Sequence, residues 1–204
     1  MMIYKLNIIN LPERIDRKTD LLKMLAENGI SNFKIWNGIK EKRWPRLGIL
    51  KAHKQIVRNA KECGLPFVHI AEDDIQFFGK GAWEYYLSKL PHLEGKSVDI
   101  FFSMVYAGKI NSDCKLESTC SGMTLYTVYS QFYDFFLNAP EENGGVHVDR
   151  YLTSFWATHD FWVCDKFVCQ QSGSFSDNSK KKVDYTPLLR YRTLFKPDGG
   201  PNII

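Results

Sequence analysis

The chain has 204 residues, of which 44% are hydrophobic and 14% are aromatic. This length and composition fit one folded domain spanning residues 1–204 and exclude a disordered chain. The formal net charge of +4 suits an anionic small-molecule ligand but is too small to indicate a nucleic-acid partner.

The first half of the chain alternates apolar runs with amphipathic segments. Residues 3–11 are almost continuously apolar, which is typical of a strand buried on both faces. Asp16 is a candidate N-cap for a helix that ends near Asn28. Residues 33–36 predict a second strand, and residues 47–63 carry apolar side chains at helical spacing.

The second half continues this alternation. Residues 67–71 form an apolar run that predicts a third strand. The remaining predicted elements are a helix over 79–90, strands over 98–104 and 123–129, helices over 131–137 and 148–157, a last strand or pair of strands over 161–170, and a loop-like tail after Ser172. Strands that alternate with helices predict an α/β fold with a mostly parallel central sheet flanked by helices.

Three consecutive acids, Glu72, Asp73 and Asp74, directly follow the third predicted strand. Ligands of open α/β sheets bind outside the carboxyl ends of the strands. Adjacent carboxylates repel one another unless a cation lies between them, and oxygen ligands suit Mg²⁺ or Mn²⁺. If the strand continues through these acids, the side chains of Glu72 and Asp74 point to the same side. We expect both to bind the metal, Asp74 most directly. The alternative is an acidic turn that closes the strand.

Two arginines, Arg14 and Arg17, follow the first predicted strand at the expected carboxyl-terminal edge of the sheet. Their planar guanidinium groups can pair with phosphates, or they can form surface ion pairs with Glu13 or Asp16. A separate basic run spans residues 180–182. It is either a solvated face, or it binds phosphate or contacts a membrane surface peripherally.

Three further side chains are candidates for chemistry. His53 falls inside the second predicted helix, where a core or surface role is the ordinary alternative. Asp149 opens a helix after a pair of glycines; it is either an N-cap or the general base that takes a proton from an attacking hydroxyl. His159 lies beyond the same helix and is a candidate additional ligand of a metal or a phosphate.

Cysteine usage and the first residues bear on location. The five cysteines include no C-x-x-C pair, which argues against a zinc site and a disulfide framework and favours a reducing compartment. The apolar stretch at the start of the chain is too short for a signal peptide or a membrane span. We therefore expect a cytoplasmic protein.

Several of these residues together resemble glycosyltransferase family 25, which includes lipopolysaccharide and collagen galactosyltransferases. The stretches that carry the similarity are Ile8-Ile9-Asn10-Leu11 with Arg14 and Arg17, Leu47-Gly48-Ile49-Leu50-Lys51-Ala52-His53, Glu72-Asp73-Asp74, and Val148-Asp149. The similarity covers roughly residues 3–160. Ala52 stands where the family usually has Ser, and the region after residue 170 matches poorly.

The resemblance is to the family at large or to a divergent small relative, such as the GT-A domains carried by large DNA viruses of algae. It implies a GT-A fold and an inverting transfer of a sugar from a nucleotide-sugar donor, UDP-linked, to a glycan acceptor, with Mn²⁺ or Mg²⁺. Asp149 would then be the catalytic base, and Glu72, Asp74 and His159 would hold the metal. The residues expected at the donor are Asn10, Leu11, Arg14, Arg17, His53 and Asp73.

Two alternatives remain open. A metal-dependent nucleotidyl- or phosphotransferase needs the same acids, metal and cations, although the sequence has no G-x-x-x-x-G-K-[ST] loop and no G-x-G-x-x-G. A non-catalytic module that binds sugar nucleotides or glycans would keep the fold without turnover.

Overall fold

The computed structural model describes residues 4–173, 175–176, 181–189 and 192–197. Within these residues the α-helices are α1 (Ile15–Glu27), α2 (Pro45–Glu62), α3 (Ala82–Ser88), α4 (Tyr133–Leu137) and α5 (Val148–Thr153). The strands are β1 (Leu6–Asn10), β2 (Phe33–Asn37), β3 (Phe67–Glu72), β4 (Ile75–Phe77), β5 (Ile100–Phe102), β6 (Leu125–Tyr129), β7 (Phe161–Val163), β8 (Cys169–Gln171), β9 (Phe175–Ser176) and β10 (Lys181–Lys182). Short 3-10 helices span Leu90–Leu93, Ser130–Phe132, Glu142–Gly144 and Thr186–Leu189.

Within the described chain, the main sheet has six strands in the order β2-β1-β3-β6-β5-β7. Strand β6 runs antiparallel to both of its neighbours, and the other pairings are parallel. Five of the six strands therefore share one direction, which confirms the predicted α/β class with a mostly parallel sheet flanked by helices. The reversal of β6 leaves no mark in the sequence, because a buried strand has the same apolar pattern in either direction.

The core lies against both faces of this sheet, as the apolar run of β1 predicted. Leu6 of β1 and Ile70 of β3 are fully buried. The polar Asn7 is also buried, because its amide donates to the His69 carbonyl at 3.1 Å and accepts from the Trp36 indole at 2.9 Å. These bonds join β1 to both of its neighbours and satisfy a polar group that would otherwise destabilise the core.

The chain leaves the main sheet immediately after β3. Asp73 and Asp74 form a turn, and the following strand β4 pairs with β8 in a separate two-stranded sheet. Strand β4 was not predicted. The strand or pair of strands predicted over residues 161–170 is a pair, β7 beside β5 and β8 beside β4. This turn holds the acids at the carboxyl-terminal edge of the main sheet.

The segment after Ser172 was expected to be loop-like, and part of it packs on the core instead. Leu189 is buried, and Leu194 forms a β-bridge with Phe167. The basic run of residues 180–182 lies outside the residues whose side chains the structure describes. None of the described helices combines the length and the apolar character that a membrane crossing requires.

Candidate active site

A cavity of about 650 Å³ lies at the carboxyl-terminal edge of the main sheet. Leu11, which follows β1, and Gly38, which follows β2, line one side of it, and the first turns of α2 form a wall. The three acids after β3 face the same space. The cavity therefore lies where ligands bind in open α/β sheets.

All three acids reach the cavity, which differs from the expected alternation of sides. The reason is that β3 ends at Glu72, so the two aspartates belong to a turn and not to a continuing strand. The alternation of side chains applies only inside the strand.

Asp73 is held on both of its carboxylate oxygens. Asn10 Nδ2 donates to Oδ2 and Arg17 Nη1 donates to Oδ1, each at 2.7 Å. Burial raises the pKa of Asp73, while Arg17 and Asn10 oppose that rise. Asn10 is 3% exposed, and it is not among the residues that line the cavity. Asn10 was expected at the donor; the structure instead places it behind Asp73, which it orients.

Asp74 has a buried oxygen to which none of the described residues donates a hydrogen bond. Its Oδ2 lies 3.4 Å from Arg17 Nη1, whereas Oδ1 accepts no hydrogen bond from the described part of the chain. Burial, and then the charge of Glu72, raise the pKa of Asp74 to about 8. A further positive charge beside this carboxylate would lower its pKa and satisfy the free oxygen.

Glu72 lies between two side chains from different elements. Gln171 Nε2 donates to its Oε2 at 2.9 Å, and its Oε1 is 3.5 Å from His53 Nε2. His53 is 1% exposed, and its Nδ1 is 2.5 Å from the Tyr126 hydroxyl. When Nε2 carries the proton and faces Glu72, Nδ1 accepts from Tyr126. His53 therefore lines the cavity from α2, with Nε2 next to Glu72.

Asp149 lines the same cavity from the start of α5. Its Oδ2 accepts from the Gly122 amide at 3.2 Å and its Oδ1 from the Arg150 amide at 2.7 Å. Both amides fix the carboxylate while leaving lone pairs for a further donor. The structure thus brings Asp149 and the acids of β3 to one space, as a general base requires.

Two of the predicted site residues lie elsewhere. Arg14 binds Asp16 at 2.8 Å and does not line the cavity; α1 begins at Ile15, so Asp16 pairs with Arg14 and does not cap the helix. His159 is surrounded by aromatic rings, with the Phe135 ring centroid at 4.5 Å. It precedes β7, a strand parallel to β5, and therefore lies at the opposite edge of the sheet from the acids.

The predicted metal set of Glu72, Asp74 and His159 is therefore not assembled. Among the described residues, no group of three or more His, Cys, Asp and Glu side chains is placed to hold a metal ion. Glu72 and Asp74 alone remain together in the cavity.

A basic segment, residues 40–46, borders the cavity and was missed by the predictions. It reads KEKRWPR, and Lys40, Lys42 and Arg46 line the cavity. Lys40 also pairs with Glu13, and Arg46 donates to the Gly144 carbonyl at 3.0 Å. Four cations in seven residues are a local signal that could have been found; it suits an anionic ligand.

Two tyrosines, Tyr106 and Tyr185, also line the cavity. Their rings are stacked with centroids 4.8 Å apart and an interplanar angle of 23°. They are far apart in sequence and neither belongs to a motif, so nothing in the pattern of residues marks them.

Comparisons with known proteins leave the family open. No family model matches the chain, and no curated protein matches it. The membership of glycosyltransferase family 25 that the resemblance implies therefore stays a prediction.

Solved structures show weak likenesses. The chain is similar to A197 from STIV, with 13% identity, a TM-score of 0.47 and coverage of 79% of this chain and 81% of that one. A glycosyltransferase involved in the glycosylation of the major capsid of PBCV-1 shows 9% identity, a TM-score of 0.48 and the same coverage. HddC from Yersinia pseudotuberculosis shows 13% identity, a TM-score of 0.41 and coverage of 79% and 89%. With identities and TM-scores this low, these likenesses carry no argument about what the chain does.

Proposed function

We propose that this chain is a GT-A glycosyltransferase that moves a sugar from a UDP-linked donor to a hydroxyl of a glycan acceptor, with inversion. The observation that carries the proposal is the cavity at the end of β3, where Asp74 presents a buried oxygen that accepts no bond from the described residues. Glu72 lies beside it, and Arg17 and the basic segment border the same space. Carboxylates that can bind a divalent metal ion lie next to basic side chains that can bind phosphates. This combination suits a nucleotide-diphosphate sugar.

Glu72 and Asp74 fit Mn²⁺ or Mg²⁺. Both offer carboxylate oxygens, the ligands that these ions prefer. The Oδ1 atom of Asp74 is buried and accepts no hydrogen bond from the described residues, so it can bind a metal ion. An ion held there would neutralise the charge that develops on the departing nucleoside diphosphate. We assign no metal-binding role to His159, because it lies at the other edge of the sheet.

The remaining residues orient these groups and attract the donor. Asp73 is fixed by Arg17 and Asn10, so it presents a rigid wall beside Asp74. Gln171 donates a hydrogen bond to Glu72, and His53 Nε2 lies 3.5 Å from the other carboxylate oxygen. Lys40 and the rest of the basic segment raise the local concentration of an anionic donor. Positioning of this kind lowers the barrier by holding reactants in a productive geometry.

Asp149 is the proposed general base. It accepts the proton of the acceptor hydroxyl while the hydroxyl oxygen forms a bond to the anomeric carbon of the donor sugar. The bond between that carbon and the diphosphate oxygen breaks, and its electron pair leaves with the nucleoside diphosphate. One displacement inverts the configuration of the anomeric carbon. The two backbone amides on Asp149 keep its carboxylate aimed into the cavity.

Calorimetric titration of UDP in the presence and absence of Mn²⁺ tests the proposal. We expect Mn²⁺-dependent UDP binding by the wild type and a loss of at least about 100-fold in Asp74→Asn, since even outer partners of metal ligands change affinity by 10- to 100-fold. Asp134→Asn is the matched control, because Asp134 is 74% exposed and pairs with Lys61 on the surface. Full UDP affinity in Asp74→Asn would count against the assignment.

Product analysis separates the proposal from its alternatives. A panel of nucleotide sugars, screened by thermal shift with and without Mn²⁺, identifies the donor, because a ligand of the native state raises the melting temperature. Release of UDP from that donor supports a glycosyltransferase, and release of pyrophosphate or transfer of a phosphate group would indicate a nucleotidyl- or phosphotransferase. Tight binding without any turnover would indicate a non-catalytic module.

A further inference from the structure

Two described residues after β8, Ser172 and Tyr185, line one side of the candidate active site, and described residues further along the chain contact the core. The Phe167 amide donates to the Thr193 carbonyl, and the Phe195 amide donates to the Phe167 carbonyl, each at 2.8 Å. The guanidinium of Arg192 donates to the Gly108 carbonyl at 2.8 Å. These bonds hold residues 192–195, which follow Tyr185 in the chain, against Phe167 and Gly108.

Tyr185 is the aromatic residue that lines the cavity from the described part of the segment after β8, together with Ser172. Its ring stacks on Tyr106, which is only 4% exposed and accepts a hydrogen bond from the Gln171 amide at 2.6 Å. Offset stacking against a fixed, buried ring restricts how Tyr185 can turn. Tyr185 itself is partly exposed and lines the cavity, so it offers ring surface to a ligand.

Strand β3, at whose end the three acids lie, separates the other cavity-bordering strands into two groups. Leu11 and Gly38 follow β1 and β2, which lie on one side of β3 in the sheet. Tyr106 follows β5 and Gly122 precedes β6, and both of these strands lie on the other side. Tyr185, stacked on Tyr106, belongs to the second side.

The second side is also where the proposed base lies. Asp149 accepts from the Gly122 amide. Burial raises the pKa of Tyr185, the charges of Asp74, Glu72 and Asp149 raise it further, and the charge of Arg17 opposes that rise. The tyrosine therefore lies close to the carboxylates that face the cavity.

We propose that Tyr185 is the surface on which the pyranose ring of the acceptor stacks, beside Asp149, and that it thereby selects a cyclic sugar as acceptor. The inference rests on the proposed function and adds the acceptor class to it. The apolar C–H face of a pyranose packs on an aromatic ring, while its hydroxyl groups reach polar partners at the edge. The nucleotide then occupies the side that carries the cations.

Saturation-transfer NMR on the whole chain tests the inference, with methyl β-D-galactopyranoside and methyl β-D-glucopyranoside as probes and acyclic sorbitol as the ring-free control. We expect at least one pyranoside, and not sorbitol, to receive saturation from aromatic protons of the wild type. Tyr185→Ala should weaken the binding of that pyranoside by about tenfold, which is the effect expected from the loss of one aromatic contact. Tyr185→Phe, which keeps the ring, should bind it as the wild type does.

Leu188→Ala is the matched control, because Leu188 belongs to the same segment, is 52% exposed and does not line the cavity. UDP affinity with Mn²⁺ should be equal in all variants. Absence of pyranoside binding by the wild type, or unchanged binding by Tyr185→Ala, would overturn the inference. A parallel loss of UDP affinity in Tyr185→Ala would also overturn it, since the ring would then contact the nucleobase. Failure of the proposed function would give a different result: the wild type would neither bind UDP nor cleave any nucleotide sugar.

Discussion

Replacing Arg17 by methionine removes the cation that joins α1 to the acids after β3. Its Nη1 lies 2.7 Å from Asp73 and 3.4 Å from Asp74, and the three side chains are 14%, 8% and 13% exposed. Removing one partner of a buried ion pair costs about 3–5 kcal/mol, because the remaining charge is uncompensated. We expect the lower end, about 3 kcal/mol of unfolding free energy, since Asp74 can take up a proton. Urea unfolding followed by tryptophan fluorescence measures this loss.

Lys23→Met is the matched control for this prediction, because Lys23 lies on the same helix α1. Lys23 and its partner Glu27 are 77% and 61% exposed, and exposed ion pairs contribute little to stability. Adding Asp73→Asn to the Arg17→Met variant should recover about 1 kcal/mol or more, because one uncompensated charge disappears. If Arg17→Met lost no more stability than Lys23→Met, the reasoning about the buried ion pair would be refuted.

Three further predictions concern single residues. Gly48→Ala places a Cβ 2.1 Å from the Ile39 carbonyl oxygen, so unfolding free energy should fall by about 1–3 kcal/mol in the urea assay; an unchanged midpoint would contradict the close approach. Burial lowers the pKa of His69 to about 3 from 6.5, so between these pH values the imidazole takes up a proton only in the unfolded chain. The free energy of unfolding should therefore fall from pH 6.5 towards pH 3, by up to about 1.4 kcal/mol per pH unit. His69→Gln should show a flatter pH profile, and equal slopes would argue against a buried neutral imidazole. His159→Leu should keep wild-type UDP and Mn²⁺ affinity in calorimetry; weaker binding would return His159 to the site.

The fold class could be predicted because the relevant signals are local. The apolar run of β1 and the helical spacing in α2 each determine one element, and their alternation implies a mostly parallel sheet. The reversal of β6 and the pairing of β4 with β8 depend on long-range contacts. Nothing within either segment distinguishes these arrangements from others with the same apolar pattern.

The candidate site was predictable where it follows directly from a strand end. Glu72, Asp73 and Asp74 reach the cavity because they terminate β3, and Asp149 joins them from α5. The prediction placed His159 in the site because it is close to Asp149 in sequence. The turns after α5 carry His159 to the opposite edge of the sheet. Tyr185 was missed because only the folded segment places it on Tyr106.

A crystal of the chain with UDP and Mn²⁺, measured at the manganese absorption edge, tests the central proposal most directly. Anomalous scattering at this edge identifies the bound ion as manganese and gives its position. The proposal predicts a manganese peak within bonding distance of the Asp74 carboxylate, with the diphosphate of UDP on its other side. A peak at another place, with Asp74 still bound to Arg17 and the nucleotide outside the cavity, would contradict it.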